Sequence, residues 1–335
     1  MGDTDKMKPM LSASRMKTVE ACSWVYWCKY HLNLPQTTND GAIRGSICHL
    51  IFELLLEKKH KKHFNIIKKA GRIDASKAIE RLVNKHLNHY QTNNEENYEM
   101  INDMVLVGLN NDFFCKGAKL LDPEYEFILE NKDPEYVVRG FIDKAAKYIK
   151  DKKIIITDYK SSKQKFSGDD LSANLQAMIY SLVALKTWPK LKPIIHFCFL
   201  RFPSEPIQQL EFSEEELSGL EHYLSHVYKI INEFDEKSAT TNFAADQPYP
   251  AKGEGFKGAL NCGYAKYKGQ LKKDGSLMWH CPYKFDFEYY ELLDKDGHQL
   301  KTAFTKKELK AKKGQKIIKK KYEGCPRHTN NDFGF

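Results

Sequence analysis

Residues 137–160, VVRGFIDKAAKYIKDKKIIITDYK, set two apolar strands on either side of a turn rich in Lys and Asp. The strands are Val137–Ile142 and Ile154–Thr157. Asp143 ends the first, and the second runs into Asp158-Tyr159-Lys160. Side chains alternate along a strand, so Asp158 and Lys160 share one face while Tyr159 takes the other. A hairpin between the two strands brings Asp143 beside Asp158. Two carboxylates and an ammonium then meet at one spot, a donor set that suits a hard divalent cation.

A chain of 335 residues can bury a full core and holds one large domain or two. With 29% charged and 41% hydrophobic residues, it reads as a water-soluble globular protein. The net charge of +9 leans toward a polyanionic partner, although solubility alone explains it equally well. No apolar run reaches the roughly 18 residues of a membrane span. The start, MGDTDKMKPM, has no apolar core of a signal peptide and lacks the Ser or Thr that myristoylation needs at position 6. Eight cysteines in such a chain point to a reducing, cytoplasmic setting, as thiols or metal ligands and not disulfides.

Residues 11–34 predict an aromatic helix with Trp24, Tyr26, Trp27 and Tyr30, read as core packing with base stacking as the alternative. Residues 41–59 predict a helix with an apolar stripe of Ile47, Leu50, Ile51, Leu54 and Leu55. His49 lies beside that stripe, and Gly45 one turn earlier leaves room for a close approach. Residues 60–120 read as mostly helical, with Phe113–Leu121 continuing a helix onto the core. From Glu124 the period falls to two, and a turn at Asn131–Glu135 precedes the two central strands. A helix follows from about Leu171 to Lys186, then a buried strand, Ile194–Phe202. A last helix, Phe212–Phe234, carries Ser213 and Glu216 as a capping box. This order predicts an α/β core with a mixed sheet, and residues 235–335 predict an irregular module rich in Gly, Lys and aromatics. Gln176 and Tyr180 share a helical face just after the central strands, placed to contact a substrate or steady a metal site.

In this order the motifs resemble the PD-(D/E)XK nuclease superfamily, in its RecB-like exonuclease branch. The matching residues are Ser12-Ala13-Ser14 with Cys22, then Gly45-Ser46-Ile47-Cys48-His49, Gly140-Phe141-Ile142-Asp143, Asp158-Tyr159-Lys160, and Gln176 through Tyr180. The resemblance covers roughly residues 11–203 and implies a restriction-endonuclease-like core, here over 1–234 with a helical insertion at about 60–120. Residues 235–335 would then be a Cys- and Lys-rich module packing on the first helix. The resemblance implies that Asp143, Asp158 and His49 hold Mg²⁺ or Mn²⁺. It gives Lys160 the orientation of the attacking water and the offsetting of charge on the phosphate. Gln176 and Tyr180 complete the catalytic set. Glu126 occupies the place of an auxiliary acid, or is a solvated strand residue. The alternative for the whole Asp/Lys set is a surface ion-pair cluster.

Cys48, Cys115 and Cys198 lie in apolar runs and read as buried hydrophobes. Cys262, Cys281 and Cys325 fall in NCGY, HCPY and GCPR, among turn-forming residues. Some RecB-like nucleases, CRISPR-associated ones included, carry a [4Fe–4S] cluster, and that likeness assigns it Cys22, Cys262, Cys281 and Cys325, with Cys28 a rival for the first ligand. A zinc site with His280 or His328 is the alternative, and unrelated free thiols the plainest one. Residues 306–321, KKELKAKKGQKIIKKK, read as a solvated loop or as a phosphate-backbone contact through Lys312, Lys313, Lys319 and Lys320. The expected function is a metal-dependent DNA exonuclease of a phage or mobile-element type, acting on DNA ends or single strands in replication, recombination or repair. An endonuclease, a CRISPR-type end-processing nuclease and a non-catalytic DNA-binding module of the same fold are the rivals.

Overall fold

The structure, a computed structural model, describes residues 9–241, 262, 263 and 265–329, without the side chain of Asp169. Residues 1–8, read above for a leader and for myristoylation, lie outside the described residues. The chain divides into two compact units. One comprises Met1–Ala13 and Thr38–Tyr228, the other Ser14–Thr37 and Lys229–Phe335.

The first helix, α1 (Ala13–Ala21), falls almost wholly in the second unit. The first unit begins in earnest with α2 (Asp40–Leu56). Asn39 caps it, accepting the Ala42 N–H at 3.0 Å, a bond of the kind that stabilises a helix by about 1 kcal/mol. Its apolar stripe buries Ile47, Ile51 and Leu55, while Leu50 and Leu54 are half-buried. Three more helices follow: α3 (Lys61–Ala70), α4 (Lys77–His89) and α5 (Glu95–Asn110). The expected helical stretch ends there. Phe113–Leu121 is not helical but a run of turns with positive φ at Cys115 and Gly117, closed by the short strand β1 (Lys119–Leu120).

Strands β2 (Tyr125–Lys132) and β3 (Glu135–Ile142) form their own two-stranded antiparallel sheet. The chain then turns at Asp143 into β4 (Lys144–Tyr148), which pairs with β5 (Lys153–Lys160). The expected hairpin partner of β5 was Val137–Ile142; the observed partner is the short Lys-Ala-Ala-Lys-Tyr strand. Its apolar residues are two alanines and a tyrosine, too little for a strand signature. Helix α6 (Leu175–Thr187) crosses over to β6 (Lys192–Phe199), which runs parallel to β5. Strand β7 (Ile207–Leu210) pairs antiparallel with β6. The five-stranded sheet has the order β1-β4-β5-β6-β7 and is mixed, as expected. Helix α7 (Glu214–Asn232) starts with the reciprocal capping box read from the sequence: Ser213 N–H to Glu216 at 2.7 Å, Glu216 N–H to Ser213 at 3.2 Å.

The core of this unit packs α2, α4 and α5 against one face of the sheet, with Tyr159, Cys198 and Leu200 reaching into it. Close approach is built in at two glycines. A Cβ on Gly108 would stand 2.4 Å from the Phe52 ring, and one on Gly45 would stand 2.6 Å from Ser161 Oγ.

The second unit is less irregular than expected. It holds a three-stranded antiparallel sheet, β8 (Phe287–Leu293), β9 (Gln299–Ala303) and β10 (Lys316–Tyr322), in the order β10-β8-β9. The aromatics of residues 23–31 pack inside this unit, as the core reading has it. Trp24 Nε1 donates to the Tyr322 hydroxyl at 2.7 Å, which donates to the Tyr283 carbonyl at 2.9 Å. The Tyr26 ring meets Phe234 edge-on at 4.8 Å, and Trp27 stacks on His31 at 4.8 Å. Gln299 Nε2 reaches the Leu32 carbonyl at 3.2 Å.

Candidate active site

Asp143 sits at the corner where the chain leaves one sheet for the other. Its Oδ2 accepts the Tyr159 N–H at 2.8 Å and lies 3.2 Å from His49 Nδ1. The other nitrogen of that ring, Nε2, is 2.9 Å from the Tyr159 carbonyl. A carbonyl only accepts, so Nε2 carries a proton and Nδ1 is the nitrogen left to face a cation in the neutral ring. Burial works against charge on His49, but the hydrogen bond and charge of Asp143, with Asp158, push its pKa up to about 9. A divalent metal held here by His49 would take the place of that proton.

Glu124 is the residue that the sequence reading missed. Its carboxylate, a His49 nitrogen and an Asp143 oxygen lie within 4.8 Å of one another. Burial raises its pKa, and the Asp143 charge raises it further. Glu124 holds φ at 51°, and its N–H donates to the Asp143 carbonyl at 3.3 Å. The β2–β3 register pairs Tyr125 with Ile142, and one step further opposes Glu124 to Asp143. Glu126, the expected auxiliary acid, is instead an exposed strand residue ion-paired to Arg139 at 2.6 Å.

Asp158 lies one strand position before Tyr159 and is almost fully buried. Its Oδ1 accepts from Gln176 Nε2 at 2.7 Å and lies 3.3 Å from the Tyr180 hydroxyl, which donates to the Phe141 carbonyl at 2.8 Å. Its Oδ2 is 2.7 Å from the Lys160 ammonium but makes no well-directed hydrogen bond. Gln176 also accepts from Lys160 at 2.7 Å and donates to Tyr180 at 2.8 Å. The i, i+4 pair on α6 therefore clasps the strand that carries Asp158 and Lys160. Burial raises the Asp158 pKa, the Asp143 charge adds to this, and Lys160 counters it.

The structure thus brings His49, Asp143, Asp158, Lys160, Gln176 and Tyr180 together at one end of β5, with Glu124 beside them. The carboxylates of Glu124 and Asp143 and the His49 imidazole, within 4.8 Å of one another, form a donor set beside the buried Asp158. That set fits a divalent cation of the Mg²⁺ or Mn²⁺ type.

In the second unit, Cys22, Cys262, Cys281 and Cys325 gather. Cys281 N–H donates to the Cys262 carbonyl at 3.2 Å, and Cys325 N–H to the Lys284 carbonyl at 3.3 Å. Burial pushes Cys281 and Cys325 up to about 12. In both, backbone hydrogen bonds oppose this, and the charge of Cys22 and Cys262 reinforces it. Burial and then Cys22 also raise Cys262. Among the described residues, no three of these sulfurs lie within 4.8 Å of one another. The Cys28 sulfur donates to the Tyr322 hydroxyl at 3.6 Å and packs in an apolar cluster with Cys281, Leu34 and Tyr289. Of the histidines, His280 Nδ1 lies 3.0 Å from the Cys281 carbonyl, and His328 is held down at about 4, chiefly by burial.

The four lysines singled out above divide into two pairs. Lys312 and Lys313 are exposed at the turn before β10. Lys319 and Lys320 lie on β10 and are ion-paired to Glu288 at 2.7 Å and Glu291 at 3.0 Å.

A sequence model of the PD-(D/E)XK nuclease superfamily matches residues 10–268. A search of curated proteins found no match. No helix among the described residues is long and apolar enough to cross a membrane.

Proposed function

Because the chain belongs to the PD-(D/E)XK nuclease superfamily, we propose that it is a metal-dependent DNA exonuclease acting on ends or single strands. One observation carries the reading: His49, Glu124 and Asp143 converge within 4.8 Å beside the Asp158–Lys160 pair. The RecB-like branch is supported by the helix that offers His49 to this acidic corner and by the Gln176–Tyr180 clasp. A role in replication, recombination or repair, in the cytoplasm, goes with that branch.

In this reading His49, Asp143 and Asp158, with Glu124, hold the ion. A bound Mg²⁺ or Mn²⁺ polarises the scissile phosphate and acidifies water. Lys160, kept in place by Asp158 and Gln176, orients the attacking water and offsets charge gathering on the phosphoryl oxygens. Gln176 holds Asp158 through its amide, and Tyr180, which donates to the Phe141 carbonyl, steadies Gln176, so the Asp158 carboxylate is fixed before substrate arrives. Lys312 and Lys313 grip the phosphate backbone without reading sequence.

The four thiols hold a [4Fe–4S] cluster, with zinc the competing occupant. Cys22 is the first ligand in this reading, as the family likeness assigns it, and Cys28, which packs in one cluster with Cys281, is the rival. The role is structural: it ties residues 14–37 to the segment after residue 261.

The decisive assay incubates end-labelled linear DNA and covalently closed circular DNA with Mg²⁺ or Mn²⁺. Mononucleotides from linear DNA alone are expected. Cuts in the circle would make the enzyme an endonuclease, and no cuts in either would leave a DNA-binding module of nuclease fold.

A further inference from the structure

Behind the catalytic strand lies a second cavity of about 410 Å³. Lys144, Tyr148, Thr157, Tyr159, His196 and Asp112 are among the residues that line it. It is on the opposite side of β5 from Asp158, because Thr157 and Tyr159 alternate with Asp158 and Lys160 along the strand.

Two polar groups there are left unanswered. Lys144 is 5% exposed, and its ammonium finds only the Phe113 carbonyl at 3.4 Å, the edge of the Cys115 thiol, and the faces of Phe113 and Tyr159 at 5.7 Å. No carboxylate among the described residues pairs with it. Asp112, at the rim, has both oxygens turned to the Lys116 N–H at 3.1 and 3.2 Å. Tyr159 is 2% exposed, and its hydroxyl has no hydrogen-bond partner among the described residues. A buried ammonium without a counter-charge and a buried hydroxyl without an acceptor each cost free energy. One group answers both: an anion whose oxygens accept from the two donors. Burial also keeps the surrounding thiols of Cys115 and Cys198 protonated, so they add no negative charge to repel it.

We propose that this cavity binds a small oxyanion, either free phosphate or the phosphate of a mononucleotide, held by the Lys144 ammonium and the Tyr159 hydroxyl. The volume suits either, since pockets for small ligands begin at about 300 Å³. The ligand would touch the metal-binding corner through a single residue. The Tyr159 ring faces the cavity, while its peptide donates to Asp143 at 2.8 Å and accepts from His49 at 2.9 Å. The binding claim itself does not depend on the nuclease reading, and its test needs no turnover.

The full chain is titrated with inorganic phosphate, and separately with dAMP, in chloride buffer with EDTA, and the melting temperature is followed. A saturable rise is expected. Lys144→Met should weaken the apparent affinity by about tenfold or more, the usual worth of a charge-assisted bond. Lys160→Ala, which alters the other face of the strand, should keep the rise. Tyr159→Phe removes one donor and decides the matter should Lys144→Met fail to fold. A larger rise with dAMP assigns the site to mononucleotides, and an equal or smaller one assigns it to free phosphate. No saturable rise with either ligand, or a rise untouched by both Lys144→Met and Tyr159→Phe, overturns the proposal.

Discussion

Asp143 Oδ2 accepts the peptide N–H of Tyr159 at 2.8 Å. This bond ties the corner between the two sheets of the first unit to the strand that carries Asp158 and Lys160. Asp143 is thus positioned by backbone, and Asp158 by Gln176 and Lys160.

Asp158→Asn and Lys160→Ala should each lower cleavage at least about 100-fold, because each removes charge that acts in the transition state. Melting temperatures should change little. Single-turnover cleavage and thermal melts on the same preparations check both halves. Near wild-type cleavage by either variant would mean that the centre is elsewhere.

Glu124→Gln should raise the Mn²⁺ concentration needed for half-maximal binding in calorimetry, and so should His49→Ala. Glu126→Gln should leave it where it is, since that side chain points to Arg139. Equal effects at 124 and 126 would remove Glu124 from the site.

Gly108→Ala places a methyl 2.4 Å from the Phe52 ring, which packs on Tyr159 with ring centroids 4.2 Å apart. The overpacking should cost about 1–3 kcal/mol in urea unfolding. Because the pressure lands on the Tyr159 ring, metal affinity should drop as well. A change in stability without one in metal affinity would show the ring and its peptide to be uncoupled.

Protein purified without oxygen should be brown, with absorbance near roughly 400 nm from a thiolate-held cluster. Cys281→Ala should bleach it and expose residues beyond 261 to protease, whereas Cys28→Ala should keep the colour. Colourless protein with one equivalent of zinc would put zinc in the place of the cluster.

Lys312→Ala with Lys313→Ala should weaken DNA binding and flatten its dependence on salt. The pair at 319 and 320 should matter less, because Glu288 and Glu291 already neutralise them at 2.7 and 3.0 Å. Filter binding at several salt concentrations separates the pairs.

Much of the centre was legible because its chemistry is local. Asp158 and Lys160 share a face by strand alternation alone, and Gln176 and Tyr180 by helical spacing. Glu124 was not, since it precedes its strand and reaches the site only through the register of β2 on β3 and a left-handed φ of 51°. Strand β4 was hidden by its small apolar content, so β5 was given the wrong neighbour. Phe113–Leu121 has helical composition but is broken by positive φ at Cys115 and Gly117, in turns closed by the Cys115 N–H on the Asp112 carbonyl and the Ala118 N–H on the Cys115 carbonyl. In 316–322 the lysines masked a strand, because Tyr322 is its one buried residue, Ile317 and Ile318 are half-buried on opposite faces, and the other four positions are exposed lysines.

The discontinuous build of the second unit bears on how the chain folds as it is made. Residues 14–37 leave the ribosome early, yet their packing partners begin at residue 229. Residues 38–228 can close their own core in the interval, as domains generally fold in order of synthesis. Until then Cys22 and the Trp24–Tyr30 aromatics have nothing to bury them, and joining them to residues 229–335 means closing a loop over the whole nuclease core. Completion of the second unit is therefore the late, slow step of biogenesis. Chaperone dependence and aggregation should trace to the aromatic segment near the start of the chain, not to the catalytic core.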